Sequence, residues 1–235
     1  LACFADNWSP GAIHDDLVDI LLGLNDDADP TAPTSPTKQA VEIDMLRAMA
    51  RDERASALGE ILTQDVEFIT AFMGLLAMTP GSHPRTFRVL HIASLIGSFT
   101  ALHFKHEFNR PRPSWECPAL LPPVPVPGHS SYPSGHATQA HLIALCMQHV
   151  LEQVDPPLPP DDVTALTEAL LALARRVARN REIAGLHYPS DSAAGQALAQ
   201  AVFDVLTEPD TQDSAGYAIR PFGRAVIAAA RREWT

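Results

Sequence analysis

The chain has 235 residues, of which 46% are hydrophobic and 19% are charged, a balance typical of a globular protein with a core. Its formal net charge of −11 argues against nucleic acids and anionic membranes as partners, because both attract cationic surfaces. The three cysteines, Cys3, Cys117 and Cys146, have no CxxC or paired spacing and resemble neither a disulfide framework nor a zinc site.

Abundant Ala and Leu, with few strand-forming residues, predict an all-α protein. Residues 26–37 are polar and proline-rich, which predicts a loop. Helical patterns follow at 38–79, as two helices that meet near residues 51–56, and at 84–105. Residues 109–133 hold eight of the 21 prolines and predict a long ordered loop, because proline fixes φ and removes a backbone donor.

Beyond this loop the pattern predicts four more helices: from Ser134 to about Val154, from Val163 through Arg179, from near Pro189 to about Leu206, and over roughly 214–233. No internal repeat or second core is evident. We therefore expect a single helical-bundle domain over residues 1–235. Its N-terminal helices would lie in 1–104, its functional site in 105–191 and its C-terminal helices in 192–235.

The longest uncharged apolar run extends from Val89 to Phe104. It is too short for an ordinary membrane span, so we predict no transmembrane segment. No signal peptide is evident either. The compartment is left open, and we expect a protein that does not act on membranes.

Three motifs occur in order: KHEFNRPRP, YPSGH and NREIAGLHYPSD. Lys105, Arg112 and Arg181 supply three positive charges that suit the several oxygens of a tetrahedral oxyanion. Ser134 opens a helix, whose free N–H groups favour an anion, and adds a hydroxyl donor. Gly135 has no side chain to keep the anion from its backbone N–H. These residues predict an oxyanion-binding pocket.

Two histidines and an aspartate complete the motifs. Histidine serves as nucleophile, metal ligand or general acid/base near neutral pH. Asp191 lies four residues after His187 and is expected to accept a hydrogen bond from one ring nitrogen, which makes the other nitrogen more basic. His136, at the start of its helix, is placed as the acid/base. Arg110 lies off the motif spacing and is expected to form an ion pair.

Together these motifs resemble the type 2 phosphatidic acid phosphatase superfamily, which includes bacterial class A acid phosphatases and vanadium haloperoxidases. Its pattern is K-x6-RP, then PSGH, then SR-x5-H-x3-D, and this chain matches it in order over residues 105–191, about a third of its length. Asn180 stands where the pattern has Ser; asparagine can still donate to an anion or to the backbone.

The resemblance implies an α-helical bundle with its pocket between two central helices. It also implies roles by position. The oxyanion would be held by Lys105, Arg112, Ser134, Gly135 and Arg181. His136 would be the acid/base, and His187 would be the nucleophile or the ligand of vanadium, oriented by Asp191.

Two chemistries suit this pocket, and the sequence favours each in part. The short gaps, 21 residues from Arg112 to Ser134 and 44 from His136 to Arg181, resemble those of the phosphatases. The run HSSYPSGHATQ resembles the bromoperoxidases, and His129 occupies the place of a second active-site histidine in bromide- and iodide-oxidising members.

From these residues we expect a vanadate-dependent haloperoxidase that oxidises bromide or iodide with hydrogen peroxide, with vanadate as cofactor and an organic acceptor as final substrate. The first alternative is a soluble acid phosphatase that acts on phosphomonoesters and needs no cofactor. The second is a non-catalytic oxyanion-binding protein. We expect no nucleic-acid or membrane partner, and a homo-oligomer is left open.

Overall fold

The computed structural model describes residue 15, residues 37–207 and residues 226–234. Within them the secondary structure is helical and contains no strand, which confirms the all-α prediction. The α-helices are α1 (Lys38–Asp52), α2 (Arg54–Val66), α3 (Ile69–Leu75), α4 (Pro84–Phe108), α5 (Pro113–Glu116), α6 (Gly135–Leu151), α7 (Pro160–Ile183), α8 (Pro189–Thr207) and α9 (Ala228–Arg231).

Most of the predicted helices are present with small shifts of their ends. The pattern over 38–79 forms three helices rather than two, because the chain also turns between α2 and α3. The proline-rich segment 109–133 is irregular except for α5 and a 3-10 turn at Pro118–Leu120. Residues 26–36 of the loop predicted at 26–37 and the start of the helix predicted at 214–233 lie outside the described residues, as does Cys3. Cys117 and Cys146 are free thiols.

Helix α6 forms the centre of the bundle and packs against α4, α7 and α8. Two glycines allow this close approach. A Cβ at Gly97 would lie 3.0 Å from the Cα of Gln139, so α4 meets the backbone of α6 directly. A Cβ at Gly195 would lie 2.7 Å from the carbonyl oxygen of Ser134, so α8 crosses the start of α6 at the same short range. Both contacts draw the pocket motifs together.

Two apolar clusters stabilise this arrangement. The larger fills the space around α6 and includes Leu90, Phe104, Leu142 and Leu198, all fully buried. The smaller lies between α1, α2 and the segments at Leu120 and 183–188. The second cluster fixes the two N-terminal helices against the turn that leads into α8.

Helix α4 is longer than the sequence predicts. Pro84, at its first turn, suits a helix start, and Asn109 ends the helix in the left-handed region with φ of 45°. The continuous segment Pro84–Glu116 has a mean hydropathy of 1.3 in its most apolar window, 44% of which is buried inside the structure. In length and composition it satisfies the requirement for a membrane span, which corrects the expectation that this run is too short. A buried core helix satisfies the same requirement.

Candidate active site

A cavity of about 180 Å³ opens at the start of α6. It is enclosed by α4, the proline-rich segment, the end of α7 and the turn before α8. Its walls include most of the residues predicted for the oxyanion pocket: Lys105, Arg112, His129, Gly135, His136, Arg181 and His187. Ser134 and Asp191 are predicted site residues that are fully buried and do not line the cavity. Asp191 binds the lining residue His187, and Ser134 precedes Gly135 at the start of α6.

The three cations of the motifs are almost completely buried, with 3%, 0% and 2% of Lys105, Arg112 and Arg181 exposed. The Lys105 ammonium donates to the carbonyl oxygens of Ser130 and Ser131, at 2.9 and 2.7 Å. Carbonyl oxygens carry only partial charge, so these contacts leave the positive charge of Lys105 uncompensated.

The two arginines differ in how many of their donors are engaged. Arg112 Nε donates to the carbonyl oxygen of His129 at 3.0 Å, and its Nη1 donates to that of Leu186 at 2.9 Å. Arg181 Nη2 pairs with Asp65 at 2.9 Å, while its Nε and Nη1 are buried with no partner among the described residues. Leaving a buried donor unpaired costs about 1–3 kcal/mol of stability, so the two unpaired donors of Arg181 indicate a binding site for an anion.

Burial of these charges together shifts their proton affinities. Burial lowers the pKa of Lys105 to about 7, with the nearby Arg112 acting in the same direction. Burial also lowers the pKa of Arg112 to about 10. A bound dianion would favour the charged forms and reverse these shifts.

The start of α6 is formed as the sequence predicts. Ser134 is the N-cap, and its hydroxyl accepts from the N–H of Ala137 at 3.3 Å. Its own N–H donates to the carbonyl oxygen of Asp191 at 2.9 Å, which ties the start of α6 to α8. A Cβ at Gly135 would find no protein atom closer than Lys105 Cε at 3.9 Å, so this glycine leaves its part of the cavity open.

His187 is oriented by Asp191. Its Nδ1 lies 3.1 Å from Asp191 Oδ2, and the same oxygen accepts from the N–H of Tyr188 at 2.9 Å. The carboxylate therefore fixes the proton on Nδ1 and leaves the lone pair on Nε2, which lies 3.4 Å from Arg112 Nη1. Burial, followed by the charges of Lys105 and Arg112, lowers the pKa of His187 well below its usual value, so the ring is neutral.

His136 enters the cavity from the first turn of α6. Its Nε2 lies 3.1 Å from the carbonyl oxygen of Gln64, which accepts only, so Nε2 is the nitrogen that carries the proton in the neutral ring. Burial first, and then Arg181, lowers the pKa of His136 to about 3. With no anion bound, His136 is thus neutral near pH 7, with Nδ1 as the nitrogen free to accept a proton.

His129 lies at the rim of the cavity. Its Nδ1 is 3.1 Å from the carbonyl oxygen of Ser130 and 3.2 Å from Arg112 Nη2. Nδ1 cannot at once donate to the Ser130 carbonyl oxygen and accept from Arg112. Because Arg112 can only donate, its contact requires Nδ1 to be unprotonated. Burial lowers the pKa of His129, which agrees with a neutral ring.

Several residues around the cavity were not found from the sequence. Arg110 forms the expected ion pair, and its partners are Asp191 at 2.7 Å and Glu42 at 3.0 Å. Glu42, in α1, Gln64 and Asp65, in α2, come from helices without motifs. One signal existed for Glu42: it lies on the buried face of α1 with Leu46 and Met49, where a carboxylate needs a partner.

Asn180, the departure from the motif, has a different contact from the one expected. Its side-chain nitrogen donates to Glu60 and to Gln64 Oε1, both at 2.9 Å. It therefore joins α7 to α2 and supports Gln64, and it does not line the cavity. The physical reason is that α2 packs against this side of α7 and supplies acceptors closer than the pocket.

Comparison with known proteins shows which family this chain resembles. A decaprenylphosphoryl-5-phosphoribose phosphatase of Mycobacterium tuberculosis, found in the strains CDC 1551 and H37Rv, is 31% identical over 134 residues. This match covers 57% of the present chain and 66% of the relative, slightly less than two thirds of its length. The first transmembrane PAP2-type phosphatidylglycerolphosphate phosphatase from Bacillus subtilis has a similar fold, with a TM-score of 0.58 at 14% identity over 83% of this chain and 92% of that one.

The sequence profile of the PAP2 superfamily matches residues 87–207, just over half of the chain. This range contains all three motifs and every residue predicted for the pocket. It begins after α3, so Glu42, Gln64 and Asp65 lie outside it. The chain belongs to the PAP2 superfamily.

Proposed function

We propose that this protein is a phosphatase that hydrolyses phosphate monoesters. The proposal is carried by one observation: a neutral His187, with its Nδ1 proton fixed by Asp191, lies among three buried cations with its Nε2 unprotonated. Two donors of Arg181, which lines the cavity, have no partner among the described residues. The names of the relatives support a phosphatase over the haloperoxidase favoured by the residues near His129.

The chemistry follows from these positions. His187 Nε2 attacks phosphorus, the bond from phosphorus to the ester oxygen breaks, and His136 protonates the departing oxygen. Lys105, Arg112 and Arg181 stabilise the charge on the equatorial oxygens during this displacement. Water then attacks the phosphohistidine, its proton passes to His136, and phosphate and neutral His187 are released. The reaction needs no cofactor.

The size of the cavity supports a substrate whose organic part remains outside it. About 180 Å³ is well below the roughly 300–1,000 Å³ of pockets that enclose a whole ligand. Beside the opening, α4 presents Leu95, Phe99 and Leu102, which are 57%, 60% and 42% exposed. Leu102 also lines the cavity, so this apolar face begins at its mouth. We therefore propose an ester with an apolar alcohol, a choice supported by the lipid groups in the relatives' names.

A vanadate-dependent haloperoxidase is the second candidate, favoured by the position of His129 at the rim. The residues present fit vanadate, because it has the shape and charge of phosphate and the unpaired Arg181 donors suit either anion. Lys105, Arg112 and Arg181 would hold it with His187 as ligand, and the bound group would supply activation of hydrogen peroxide for halide oxidation. In a haloperoxidase, His136 would accept and release the protons of the reaction.

Paired assays on one purified sample test these candidates. One arm follows phosphate release from p-nitrophenyl phosphate and from a long-chain alkyl phosphate, and the other follows bromination of a phenol dye with vanadate, peroxide and bromide. We expect phosphate release that vanadate inhibits, and no bromination. His187→Ala should abolish release. Arg181→Ala should weaken vanadate binding by about 1.5–3 kcal/mol, the value of a hydrogen bond to a charged group.

The other outcomes are equally informative. Sustained bromination without phosphate release would establish the haloperoxidase and give His129 a role, which His129→Ala would then remove. Tight vanadate binding with neither activity would leave the non-catalytic oxyanion-binding protein. Full phosphate release by His187→Ala would refute the assignment of the nucleophile.

A further inference from the structure

A buried carboxylate from outside the superfamily match reaches the catalytic histidine through two intermediates. Glu42 is 7% exposed, and its Oε2 accepts from Arg110 Nη2 at 3.0 Å. Arg110 Nη1 donates to Asp191 Oδ1 at 2.7 Å, and Asp191 Oδ2 binds His187 Nδ1. The order is therefore Glu42, Arg110, Asp191 and His187, with every member buried.

Glu42 also holds the start of α8. Its Oε1 accepts from the N–H of Ser190 at 2.7 Å, and its Oε2 accepts from the Ser190 hydroxyl at 2.9 Å. Ser190 is the second residue of α8, where the N–H groups have no partner within the helix. A side chain of α1 thus supplies a cap to α8, which fixes the turn that carries His187 and Tyr188.

Further contacts keep α1 in this position. Gln39, three residues before Glu42, donates to the Tyr188 hydroxyl at 3.3 Å. The Tyr188 ring lies under the Arg110 guanidinium, with Arg110 Cζ 3.8 Å from the ring centre. The guanidinium is consequently held by two carboxylates and one aromatic face, and has a single orientation.

The electrostatic effect of Glu42 is on Asp191. A guanidinium paired with Asp191 alone would draw electron density from that carboxylate and weaken its bond to His187. Because Glu42 shares the positive charge of Arg110, Asp191 retains more of its capacity to accept the Nδ1 proton. An Asp191 that accepts well makes His187 Nε2 a stronger nucleophile.

We propose that Glu42 is a positioning residue for His187, acting through Arg110 and through the start of α8. The N-terminal helix α1 is therefore part of the catalytic apparatus. This inference rests on the proposed function for its effect on turnover, but its effect on the His187 ring is independent of the reaction.

Glu42→Gln tests the inference. The amide places an N–H group against the donors of Arg110 or Ser190, so one buried donor loses its acceptor. Removal of a group that orients a metal-ligating histidine costs about 10- to 100-fold in metal affinity or activity. Because Glu42 acts through Arg110 and Asp191, we expect kcat to fall by about 10-fold, the lower end of this range. KM and the Kd for vanadate should change by less than about threefold, because losses confined to the transition state leave ground-state binding unchanged.

A spectroscopic readout separates positioning from a merely structural role. In protein labelled with ¹⁵N-histidine, and with His187 assigned by its absence in His187→Gln, the wild-type ring should be the neutral form protonated on Nδ1. In Glu42→Gln this Nδ1–H signal should broaden or shift toward the other tautomer. Glu53→Gln is the matched control: it removes a 2.7 Å ion pair to Arg179 away from the cavity and should alter neither kcat nor the His187 signal.

The outcomes distinguish this inference from the proposed function. A Glu42→Gln variant with the wild-type His187 spectrum overturns the inference even if the protein is an active phosphatase. A changed spectrum in a protein without phosphatase activity supports the inference and refutes the proposed function. If Glu42→Gln does not fold, Arg110→Lys replaces it, because lysine cannot bridge two carboxylates in this way; an unchanged His187 signal there is equally decisive against the inference.

Discussion

In the proposed phosphatase reaction His136 delivers a proton, yet it is neutral in the anion-free pocket at physiological pH. The same burial and cations that prepare the pocket for a phosphoryl group lower its pKa to about 3. The proton needed by the leaving oxygen is therefore expected to enter with the substrate, as the monoanion of the ester. Inside the pocket the dianionic charge then favours protonated His136, and the proton moves to its Nδ1.

This arrangement predicts the pH dependence of kcat/KM. The second pKa of a phosphate ester is about 6, so the monoanion disappears above that pH. With the pKa values of His136 and His187 both lowered, kcat/KM should be flat from about pH 4.5 to 6 and then fall about tenfold per pH unit. Loss of the Lys105 proton above about pH 7 removes a positive charge from the pocket and lowers kcat/KM further.

The measurement is the initial rate with a long-chain alkyl phosphate at pH 4.5–8.5. His136→Ala is the control, since it should lose far more activity with this poor leaving group than with p-nitrophenyl phosphate, whose anion leaves without a proton. A maximum of kcat/KM near pH 8 would contradict this proton source.

The contact between helices α6 and α8 determines how far apart the residues of the pocket lie. Ser134 and His136 lie at the start of α6, His187 lies just before α8, and Asp191 lies in the first turn of α8. Their separation is set where Gly195 meets the start of α6, with the Ser134 carbonyl oxygen 2.7 Å and the Ala137 Cβ 2.8 Å from the position of an added Cβ. Both are fixed atoms, so a larger residue has to separate the helices.

Gly195→Ala should therefore destabilise the protein by about 1–3 kcal/mol, as overpacking of a close contact does, and should lower kcat by moving Asp191 from Ser134. Gly59→Ala is the matched control, because Gly59 lies within α2 and has no atom within 4 Å of an added Cβ. Alanine there should raise stability by up to about 1 kcal/mol and leave kcat unchanged. Urea unfolding and kcat are the measurements; equal effects of both substitutions would exclude the proposed role of Gly195.

On the scale of the whole molecule, the binding site lowers the stability of the fold. The core around α6 encloses Lys105, Arg112 and Arg181 without a full set of counter-charges. Folding must remove these cations from water, and burial lowers the pKa of each of them as a result. A bound oxyanion offsets part of the free-energy cost of burying these cations, so ligand binding stabilises the folded protein.

Lys105 makes this linkage measurable. Its pKa is about 7 in the folded state and 10.5 in a free side chain, so between these values the unfolded chain holds more protons. The free energy of unfolding should therefore rise with pH above 7, by at most about 1.4 kcal/mol per pH unit. Lys105→Met should lack this rise, and saturating phosphate should reduce it in the wild-type protein.

Urea unfolding at pH 7.0, 7.5, 8.0 and 8.5 checks this prediction. The range lies above the pKa of His136 in both the folded and the unfolded protein, and below 9.0, the pKa of the Cys146 thiol in the unfolded chain. Arg112→Lys is unsuitable as a control because it adds a second titrating ammonium. The same pH slope in wild-type and Lys105→Met proteins would show that the ammonium of Lys105 is not the source.

The sequence alone determined the helical class and the superfamily, and it supplied the charged residues and histidines that line the cavity. Both depend on local rules: helix-forming composition, and three motifs whose spacing is fixed because each lies at a helix end, a helix start or the short connection between them. Lys105 and Arg112, for example, are separated by seven positions across the end of α4 and the loop that follows it. The ion pair of Arg110 was also expected, although its partners were not.

The tertiary structure decided which partners complete the site. Glu42, Gln64 and Asp65 reach it from helices whose sequences carry no motif, and they do so through packing between distant segments that no local pattern encodes. The tautomer of His136 likewise follows from its contact with Gln64. The spacing already predicted that Asp191 accepts from His187, and the structure identifies Nδ1 as the nitrogen involved. The physical reason is that local periodicity specifies a helix and its buried face, whereas the choice of facing helix depends on packing of the whole chain.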